Sequence, residues 1–339
     1  MNFKLILLLA LISIFLFQIE SKRLQNKLKK TINIALPVTN KYINFLYISL
    51  VSLLENSDRN TIYNIIIQYG NSNLNIENSK LILELEKIYF NCFIHIIDMK
   101  YDFYGTIQGA LDLSAYYRLK LPILCPGLKR IIHLDSDTLI LKDLMELYTL
   151  NFNGKYLLGR LDTLADELDS LGIQTKTYIN TGVLLFDLYN LRKYNYTGKF
   201  IDYTKNNNNA TYLVHHDQTL INYICYDKIG ILKPKYHMWP FRNKLHVLRT
   251  NKAFRTPYNN SEFIKDFYDP TIIHFPGKSK ICIKEKGGLY HEKYFEYSIL
   301  AEERKKNIKF SYFEIFKKYI GHYFQKIKCR YNKEKLINL

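Results

Sequence analysis

The sequence lacks any clustering of its cysteines. Only five occur among 339 residues, with no C-x-x-C pair and no spacing typical of zinc ligands. This pattern argues against both a disulfide framework and a zinc module. Because the count is odd, at least one thiol lies outside any intrachain disulfide, and a buried free cysteine behaves as a small hydrophobic side chain.

The sequence also has no apolar run of clear membrane-spanning length. Residues Leu5 to Phe17 are predominantly apolar and follow a short positive start, but a bilayer crossing needs at least about 17 residues. A signal peptide ending after Ser21 and a short signal anchor both stay open for residues 1–21. Either one predicts a membrane-associated protein, in the ER and Golgi lumen of a eukaryote or at the inner membrane of a bacterium.

Acidic residues are scarce relative to basic ones. The chain has 31 aspartates and glutamates against 48 lysines and arginines, a formal net charge of +17. Such a charge favours an anionic partner, which could be nucleic acid, anionic lipid or a phosphorylated ligand. Much of the excess is spread through a chain rich in lysine, asparagine, tyrosine and isoleucine, so charge alone does not select among them.

Segments of strand and helix character alternate along the chain. Strands are predicted at 32–38, 63–68, 93–97, 131–134, 156–158, 183–186 and 271–275, and helices at 42–54, 81–89, 110–119 and 218–226. This order predicts an α/β fold with a mainly parallel twisted sheet flanked by helices. The 47% of hydrophobic residues is ample for its core.

Two carboxylates, Asp135 and Asp137, directly follow the strand predicted at 131–134. Ligands of open parallel sheets bind beyond the carboxyl ends of the strands, and paired carboxylates can hold a divalent cation that neutralises phosphate oxygens. Three other interpretations stay open. The carboxylates could cap a turn, or belong to a phosphatase of the haloacid dehalogenase type, although Leu139 occupies a position where that motif has Thr or Val. They could also occur in a loop by chance.

His274 lies near the end of another predicted strand, within the segment IIHFPGKSK. Imidazole suits Mn²⁺ better than Mg²⁺, so Asp135, Asp137 and His274 together favour manganese, with Mg²⁺ as the alternative. Gly277 would let the backbone approach a phosphate group, and Lys280 would supply positive charge to it.

Five blocks in this order resemble glycosyltransferase family 8: ALDLSAYYRL, IIHLDSDTLILKDL, YINTGVLLFDL, HHDQTLIN and HFPGKSK. The similarity extends over roughly Ile32 to Lys284. It implies a single GT-A-type nucleotide-diphospho-sugar transferase domain. We place this domain at 31–290, between a basic stem at 22–30 and a basic, aromatic helical tail at 291–339.

The resemblance further implies a retaining hexosyltransferase, which moves glucose or galactose from a UDP-sugar to a glycan, glycolipid or glycoprotein and uses Mn²⁺. Asp135, Asp137 and His274 would be its metal ligands, with Ser136 between them in the donor site. The other residues implied in donor binding or sugar transfer are Arg118, Asp162, Asn180, Asp217, Gln218, Gly277 and Lys280.

The sequence departs from the family pattern where the nucleotide base would bind. The first strand commonly ends in an acidic pair before a tyrosine, whereas here Thr39 and Asn40 precede Lys41 and Tyr42. Thr39 and Tyr42 become the candidate base contacts, and the implied preference for uridine is weaker.

Two classes of function stay open. One is the membrane-associated glycosyltransferase, for which no nucleic acid partner is expected. The other is a catalytically inactive or non-enzymatic basic binding protein of the same fold at anionic surfaces. Aromatic and basic residues interleave over 310–339, which suits an interfacial helix on an anionic membrane, a helix packed on the core, or an RNA-binding tail.

Overall fold

The computed structural model describes residues 30–70, 74–99, 113–206, 215–241, 243–277 and 290–306. The predicted signal segment, nearly all of the basic stem, Lys280 and the aromatic segment at 310–339 lie outside these residues. No helix in these ranges is long and apolar enough to cross a membrane.

Nine strands form two sheets in the described part of the chain. They are β1 (Lys30–Pro37), β2 (Thr61–Tyr69), β3 (Cys92–Asp98), β4 (Arg130–Leu134), β5 (Thr138–Ile140), β6 (Leu157–Leu161), β7 (Ile179–Asp187), β8 (Ile229–Ile231) and β9 (Ile272–His274). The central sheet has the order β3-β2-β1-β4-β7-β6-β8, and β5 pairs with β9 in a small second sheet. Neighbours in the central sheet are parallel except that β7 runs antiparallel to both β4 and β6. The predicted α/β fold with a mainly parallel sheet is confirmed.

The α-helices lie between the strands along the chain. They are α1 (Ile43–Glu55), α2 (Ile76–Leu83), α3 (Leu85–Ile88), α4 (Leu121–Leu124), α5 (Met145–Tyr148), α6 (Asp166–Ser170), α7 (Leu188–Lys193), α8 (Tyr196–Asn206), α9 (His216–Ile224), α10 (Lys244–Ala253), α11 (Asn260–Tyr268) and α12 (His291–Lys306). Short 3-10 helices occur at Asn40–Tyr42, Leu113–Lys120 and Pro234–Tyr236.

Alternate residues of the central strands face two apolar layers. In β1, Ile32, Ile34 and Leu36 pack in one cluster with the apolar face of α1. Ala35 points the other way, into a cluster built by α4, α7, α8 and α9. Burial on both faces explains why these strands are almost continuously hydrophobic instead of alternating with polar residues.

All the predicted strands are present, but some boundaries and short elements differ from prediction. The helix predicted at 81–89 is two helices, α2 and α3, and α2 begins early because the side chain of Asn75 caps it by accepting the N–H of Asn78. The helix predicted at 110–119 is a 3-10 helix in its described part. Strands β5 and β8, of three residues each, are too short to have a readable pattern.

The direction of β7 decides which residues meet at one edge of the sheet. The backbone N–H of Asp135, directly after β4, donates to the carbonyl oxygen of Gly182 near the start of β7, at 2.8 Å. Asp162 directly follows β6, and its N–H donates to the carbonyl oxygen of Tyr178 at 2.8 Å. Residues from three strands therefore lie together at the carboxyl end of β4.

Helix α12, at the start of the segment predicted as a tail, packs on the domain. Ala301 joins the cluster that contains α1, and Tyr294 is buried against Phe275, with ring centroids 5.2 Å apart. Arg304 pairs with Glu55 of α1 at 2.6 Å. These contacts tie the helix to the first crossover of the sheet.

Arg160, in the middle of β6, is a fully buried cation surrounded by aromatic rings. Its guanidinium carbon lies 4.1 Å from the ring centroid of Trp239, 5.3 Å from Phe254, 5.5 Å from Phe263 and 5.9 Å from Phe241. None of its side-chain nitrogens has a hydrogen-bond partner among the described residues. Burial lowers the pKa of Arg160 to about 10. Cation–π attraction to these rings, together with the charges of Asp162 and Tyr258, partly compensates its desolvation.

We expect the buried charge of Arg160 to lower the free energy of unfolding. Arg160→Met should leave the free energy of unfolding unchanged or raise it by up to about 3 kcal/mol, because the desolvation cost disappears while the volume stays filled. Arg160→Lys should lower it by about 1–3 kcal/mol, because an ammonium group cannot stack as a planar guanidinium does. Urea unfolding of the two variants measures both, and a larger loss in the Met variant would contradict this account.

Candidate active site

Arg118 lies between two carboxylates at the sheet edge and is almost completely buried. It donates from Nη2 to Asp135 Oδ1 at 2.8 Å, and its Nε lies 3.3 Å from Asp217 Oδ2. Its Nη1 also donates to the carbonyl oxygen of Thr181 at 2.5 Å, and Nε to that of Ala115 at 2.8 Å. Burial lowers the pKa of Arg118, but Asp135 and Asp217 outweigh it, so the net shift is upward. Arg118 thus holds both carboxylates in fixed orientations.

The carboxylates of Asp135 and Asp137 converge on the imidazole of His274. His274 Nε2 lies 3.2 Å from Asp137 Oδ1 and 3.6 Å from Asp135 Oδ2. One ligand atom from each of the three residues lies within 4.8 Å of the others. Two carboxylate oxygens and one imidazole nitrogen are a donor set that suits a divalent cation such as Mn²⁺. The residues therefore fit the predicted metal site, while the identity of the metal stays a prediction.

The backbone holds the triad together through both sheets. The N–H of Phe275, directly after β9, donates to the carbonyl oxygen of Asp137 at 3.0 Å. Thr138, the first residue of β5, pairs with His274 across the small sheet. The hydroxyl of Thr138 donates to the carbonyl oxygen of Asp135 at 2.9 Å. The small sheet thus positions the imidazole of His274 at the end of β4.

Gly182 makes room for the imidazole of His274. A Cβ at this position would overlap the ring, only 2.6 Å from Nδ1. The glycine is needed here because of this close approach and not because of its backbone conformation. The INTG block therefore contributes a packing surface for the metal-facing histidine as well as its polar side chains.

A second buried histidine, His237, contacts His274 from the edge opposite the carboxylates. His237 Nε2 lies 2.8 Å from His274 Nδ1, and both residues are at most 2% exposed. Burial lowers the pKa of His237 well below its usual range, and His274 and Arg160 lower it further. A neutral His237 can accept a hydrogen bond from His274.

Beside the triad, three side chains form one network around a carboxylate oxygen. Asp162 Oδ2 accepts from Asn180 Nδ2 at 2.9 Å and from Gln218 Nε2 at 3.3 Å. Gln218 Oε1 accepts the backbone N–H of Thr181 at 3.3 Å. Asn180 Oδ1 accepts the N–H of Gly182 at 3.0 Å. The network fixes both amide groups in one orientation at the edge where ligands of such sheets bind.

Asp217 is a buried carboxylate next to this network, 6% exposed. Burial raises its pKa to about 6; Arg118 opposes that shift and Asp135 adds to it. Its Oδ2 also lies 3.5 Å from the hydroxyl of Thr181. The folded protein therefore carries an ionised Asp217 at neutral pH against an electrostatic cost.

The structure places the remaining predicted site residues as follows. Ser136 donates from its hydroxyl to the carbonyl oxygen of Pro37, which ties the triad loop to the end of β1. Thr39 lies two residues after β1, Tyr42 ends the 3-10 helix that comes next, and both are partly exposed. Gly277 has a φ of +54° and no atom within 4 Å of a hypothetical Cβ. Lys280 lies outside the described residues, so its role stays a prediction.

Sequence reasoning did not assign Arg160, Gly182 or His237 to the site. Gly182 belongs to the INTG block, but the need for a glycine is visible only in the folded structure, because its neighbour His274 lies in β9, far along the chain. His237, in the segment KYHMW, has no motif around it. Its alignment with β9 depends on an isolated bridge between Met238 and Ile273, which a sequence pattern does not predict.

Together, the fold and the triad define an α/β domain with a candidate divalent-metal site at the edge of its sheet. The model of Glycosyl transferase family 8 matches residues 33–281. The chain therefore belongs to glycosyltransferase family 8, and the resemblance of the five blocks is confirmed.

Relatives and solved structures agree with this assignment. General stress protein A of Bacillus subtilis is 26% identical over 254 residues, which are 73% of this chain and 86% of that protein. Lipopolysaccharide 1,2-glucosyltransferase of Escherichia coli is 25% identical over 262 residues, 74% of this chain and 73% of that protein. The galactosyltransferase LgtC, solved with donor and acceptor sugar analogues, has a TM-score of 0.63 at 18% identity and covers 79% of this chain and 96% of its own. The likeness to LgtC shows a GT-A-like fold.

Gly182→Ala should weaken the metal site, because the added methyl group must displace the imidazole of His274. We expect the affinity for Mn²⁺ to fall at least about tenfold and the free energy of unfolding to fall by about 1–3 kcal/mol. Titration with Mn²⁺ and urea unfolding measure the two effects. Gly127→Ala is the matched control, because a Cβ there has no atom within 4 Å. Equal effects in both variants would contradict the role of Gly182.

Asp217 predicts a specific dependence of stability on pH. The folded-state pKa of about 6 lies above the ordinary value of 3.8, so between these values the folded protein binds a proton that the unfolded chain releases. Stability therefore rises as pH falls through about 6, by a total on the order of 3 kcal/mol. Asp217→Asn should remove this dependence and stabilise the protein at pH 8. Asn can still accept a hydrogen bond from Arg118.

Urea unfolding of the wild type and the Asp217→Asn variant from pH 4 to 8 tests this expectation. The matched control is Asp202→Asn on α8, an exposed aspartate that should leave the pH profile unchanged. If the Asp217→Asn variant keeps the full profile of the wild type, another group is responsible.

Proposed function

We propose that this family 8 member is a retaining hexosyltransferase that transfers glucose or galactose from a UDP-sugar, with Mn²⁺ bound in its site. The observation that carries the proposal is the convergence of Asp135, Asp137 and His274 within 4.8 Å, beside the polar network of Asp162, Asn180 and Gln218. The triad suits a metal–diphosphate complex, and the network suits the hydroxyl groups of a sugar.

The leaving group of this reaction is a nucleoside diphosphate that gains negative charge as the glycosidic bond breaks. When bound, the divalent ion would supply several kcal/mol of stabilisation to that charge. Arg118 keeps Asp135 oriented toward the metal position, and Ser136 anchors the loop to β1. Gly277 and Lys280 would add backbone and ammonium contacts to the diphosphate.

Retention of configuration requires either a covalent glycosyl-enzyme or attack from the face that the leaving group departs. Both polar atoms of the Gln218 amide are engaged, and an amide is a poor nucleophile. The carboxylate of Asp217 is paired with Arg118, which lowers its nucleophilicity. These contacts favour same-face attack, with the departing phosphate as the base for the acceptor hydroxyl. A trapped adduct on Asp217 would contradict it.

The names of the relatives support the class of donor and acceptor. One is a lipopolysaccharide glucosyltransferase and one solved neighbour is a galactosyltransferase, in agreement with a hexose donor and a glycan, glycolipid or glycoprotein acceptor. Thr39 and Tyr42, in the segment between β1 and α1, would contact the nucleotide base. The charge of +17 supports our further proposal that the protein works at an anionic membrane surface.

An inactive or purely binding protein of the same fold is the less favoured candidate. It would need none of the metal-site geometry, yet the two carboxylates and the imidazole are all present and mutually oriented. The family match also weighs against the haloacid dehalogenase phosphatase.

A panel of UDP-, GDP- and ADP-sugars tests the proposal. We expect turnover of one UDP-hexose with Mn²⁺, less with Mg²⁺ and none with EDTA. Asp137→Asn should reduce turnover at least about 100-fold, because it removes the charge of a direct ligand while keeping its size. The exposed Asp202→Asn is the control and should match the wild type. Metal-independent turnover, or no nucleotide-sugar binding at all, would overturn the proposed function.

A further inference from the structure

The contact between His237 and His274 has a consequence for which nitrogen of His274 faces the metal position. Nε2 of His274 faces the two carboxylates, and Nδ1 faces His237 Nε2 at 2.8 Å. From this geometry we infer that His237 is a positioning residue that orients His274 as a metal ligand. The inference rests on the metal-dependent function proposed above.

The protons on the two rings can be assigned from this requirement. A histidine ligates a metal through an unprotonated nitrogen, so Nε2 of His274 must be bare and its proton must sit on Nδ1. That N–H then donates to Nε2 of His237, which accepts, and the proton of His237 sits on its own Nδ1. Within the described part of the chain, His237 Nδ1 has no hydrogen-bond partner. Either tautomer of His237 leaves this nitrogen without a partner among these residues, so the hydrogen bond with His274 decides between the two tautomers.

The backbone fixes His237 in the position that this contact needs. The N–H of His237 closes the turn to the carbonyl oxygen of Pro234 at 3.0 Å. The next residue, Met238, accepts the N–H of His274 at 2.8 Å and donates its own N–H to Ile272 at 2.8 Å. The two imidazoles therefore lie on neighbouring segments whose backbones are hydrogen-bonded to each other.

Two constraints together leave the ring of His274 little freedom. Gly182 lies so close to the ring that no side chain fits between them, and His237 binds the edge opposite the carboxylates. Steric contact alone would permit the flipped ring, in which the two nitrogens and two carbons exchange places. The contacts of Nε2 with the two carboxylates and the hydrogen bond to His237 both favour the observed orientation, and the second of these acts on the edge that faces away from the carboxylates.

His133, in the strand that precedes the triad, provides a comparison outside the metal-binding residues. It is also completely buried, but neither of its ring nitrogens has a hydrogen-bond partner in the described residues. Its ring packs edge-on against Phe186, with centroids 6.5 Å apart. A substitution there disturbs a buried imidazole near the triad without removing a partner of His274.

The test is Mn²⁺ binding to the full-length, detergent-solubilised chain, measured by the loss of the free-ion EPR signal on titration. His237→Phe keeps a ring but has no acceptor, and we expect about 10- to 100-fold weaker binding. His237→Gln places an amide oxygen near the position of Nε2 and should recover affinity to within about threefold of the wild type. His133→Phe is the matched control and should bind as the wild type does.

A readout of ring orientation separates positioning from general loss of structure. Pulsed EPR of the wild type should show ¹⁴N coupling from a coordinated imidazole, which is weakened in the His237→Phe variant and present in the His237→Gln variant. With a nucleotide sugar present, excess Mn²⁺ should restore turnover by the Phe variant to within about threefold, because only metal affinity is impaired.

The outcomes are distinguishable. Wild-type protein that binds no Mn²⁺ would defeat the metal-dependent function itself. Wild-type affinity in a folded His237→Phe variant, or an equal loss in the His133→Phe variant, would overturn the inference while leaving that function intact. If the Phe variant does not fold, His237→Leu takes its place as the variant without an acceptor, and affinity equal to that of the Gln variant would overturn the inference.

Discussion

The buried guanidinium of Arg118 is the interaction on which the candidate site depends. Carboxylates at the end of a buried strand are costly unless a cation compensates them. Arg118 compensates Asp135 and Asp217 at the same time, and it is held by backbone carbonyl groups from two different elements. It supplies a permanent countercharge, so the domain can fold around its acidic edge before any metal binds.

This division of charge separates folding from ligand binding. Arg118 pairs directly with Asp135 and Asp217 and acts on Asp137 through its charge, whereas Asp137 contacts His274 at the proposed metal position. The network of Asp162, Asn180 and Gln218 is satisfied internally by amide groups. A pre-oriented site of this kind loses little conformational freedom when a ligand arrives. The cost is borne by the folded protein, most visibly at Asp217, whose ionisation is unfavourable there.

The sequence predicted the parts of the site that depend on local pattern. Asp135 and Asp137 follow a buried strand, and parallel topology places strand ends at a ligand edge, so their location could be deduced. The antiparallel direction of β7 could not, because an apolar run has no direction. The fit of Gly182 to His274 and the alignment of His237 could not be predicted either, because each contact joins segments that are distant in sequence. Arg160 shows the same limit, because its aromatic partners come from several later segments.

Arg160 and His237 are also connected in space, which bears on why a costly arginine lies in the core. Burial is the main cause of the lowered pKa of His237, and His274 and Arg160 lower it further, so Arg160 helps to oppose protonation of the ring that must accept from His274. A protonated His237 could not accept that hydrogen bond. Arg160 itself lacks the hydrogen bonds that normally accompany a buried charge, among the residues that the structure describes. Residues that break a local rule of stability are expected near functional sites, and the charge of Arg160 is one of the influences that keep the accepting ring of His237 neutral.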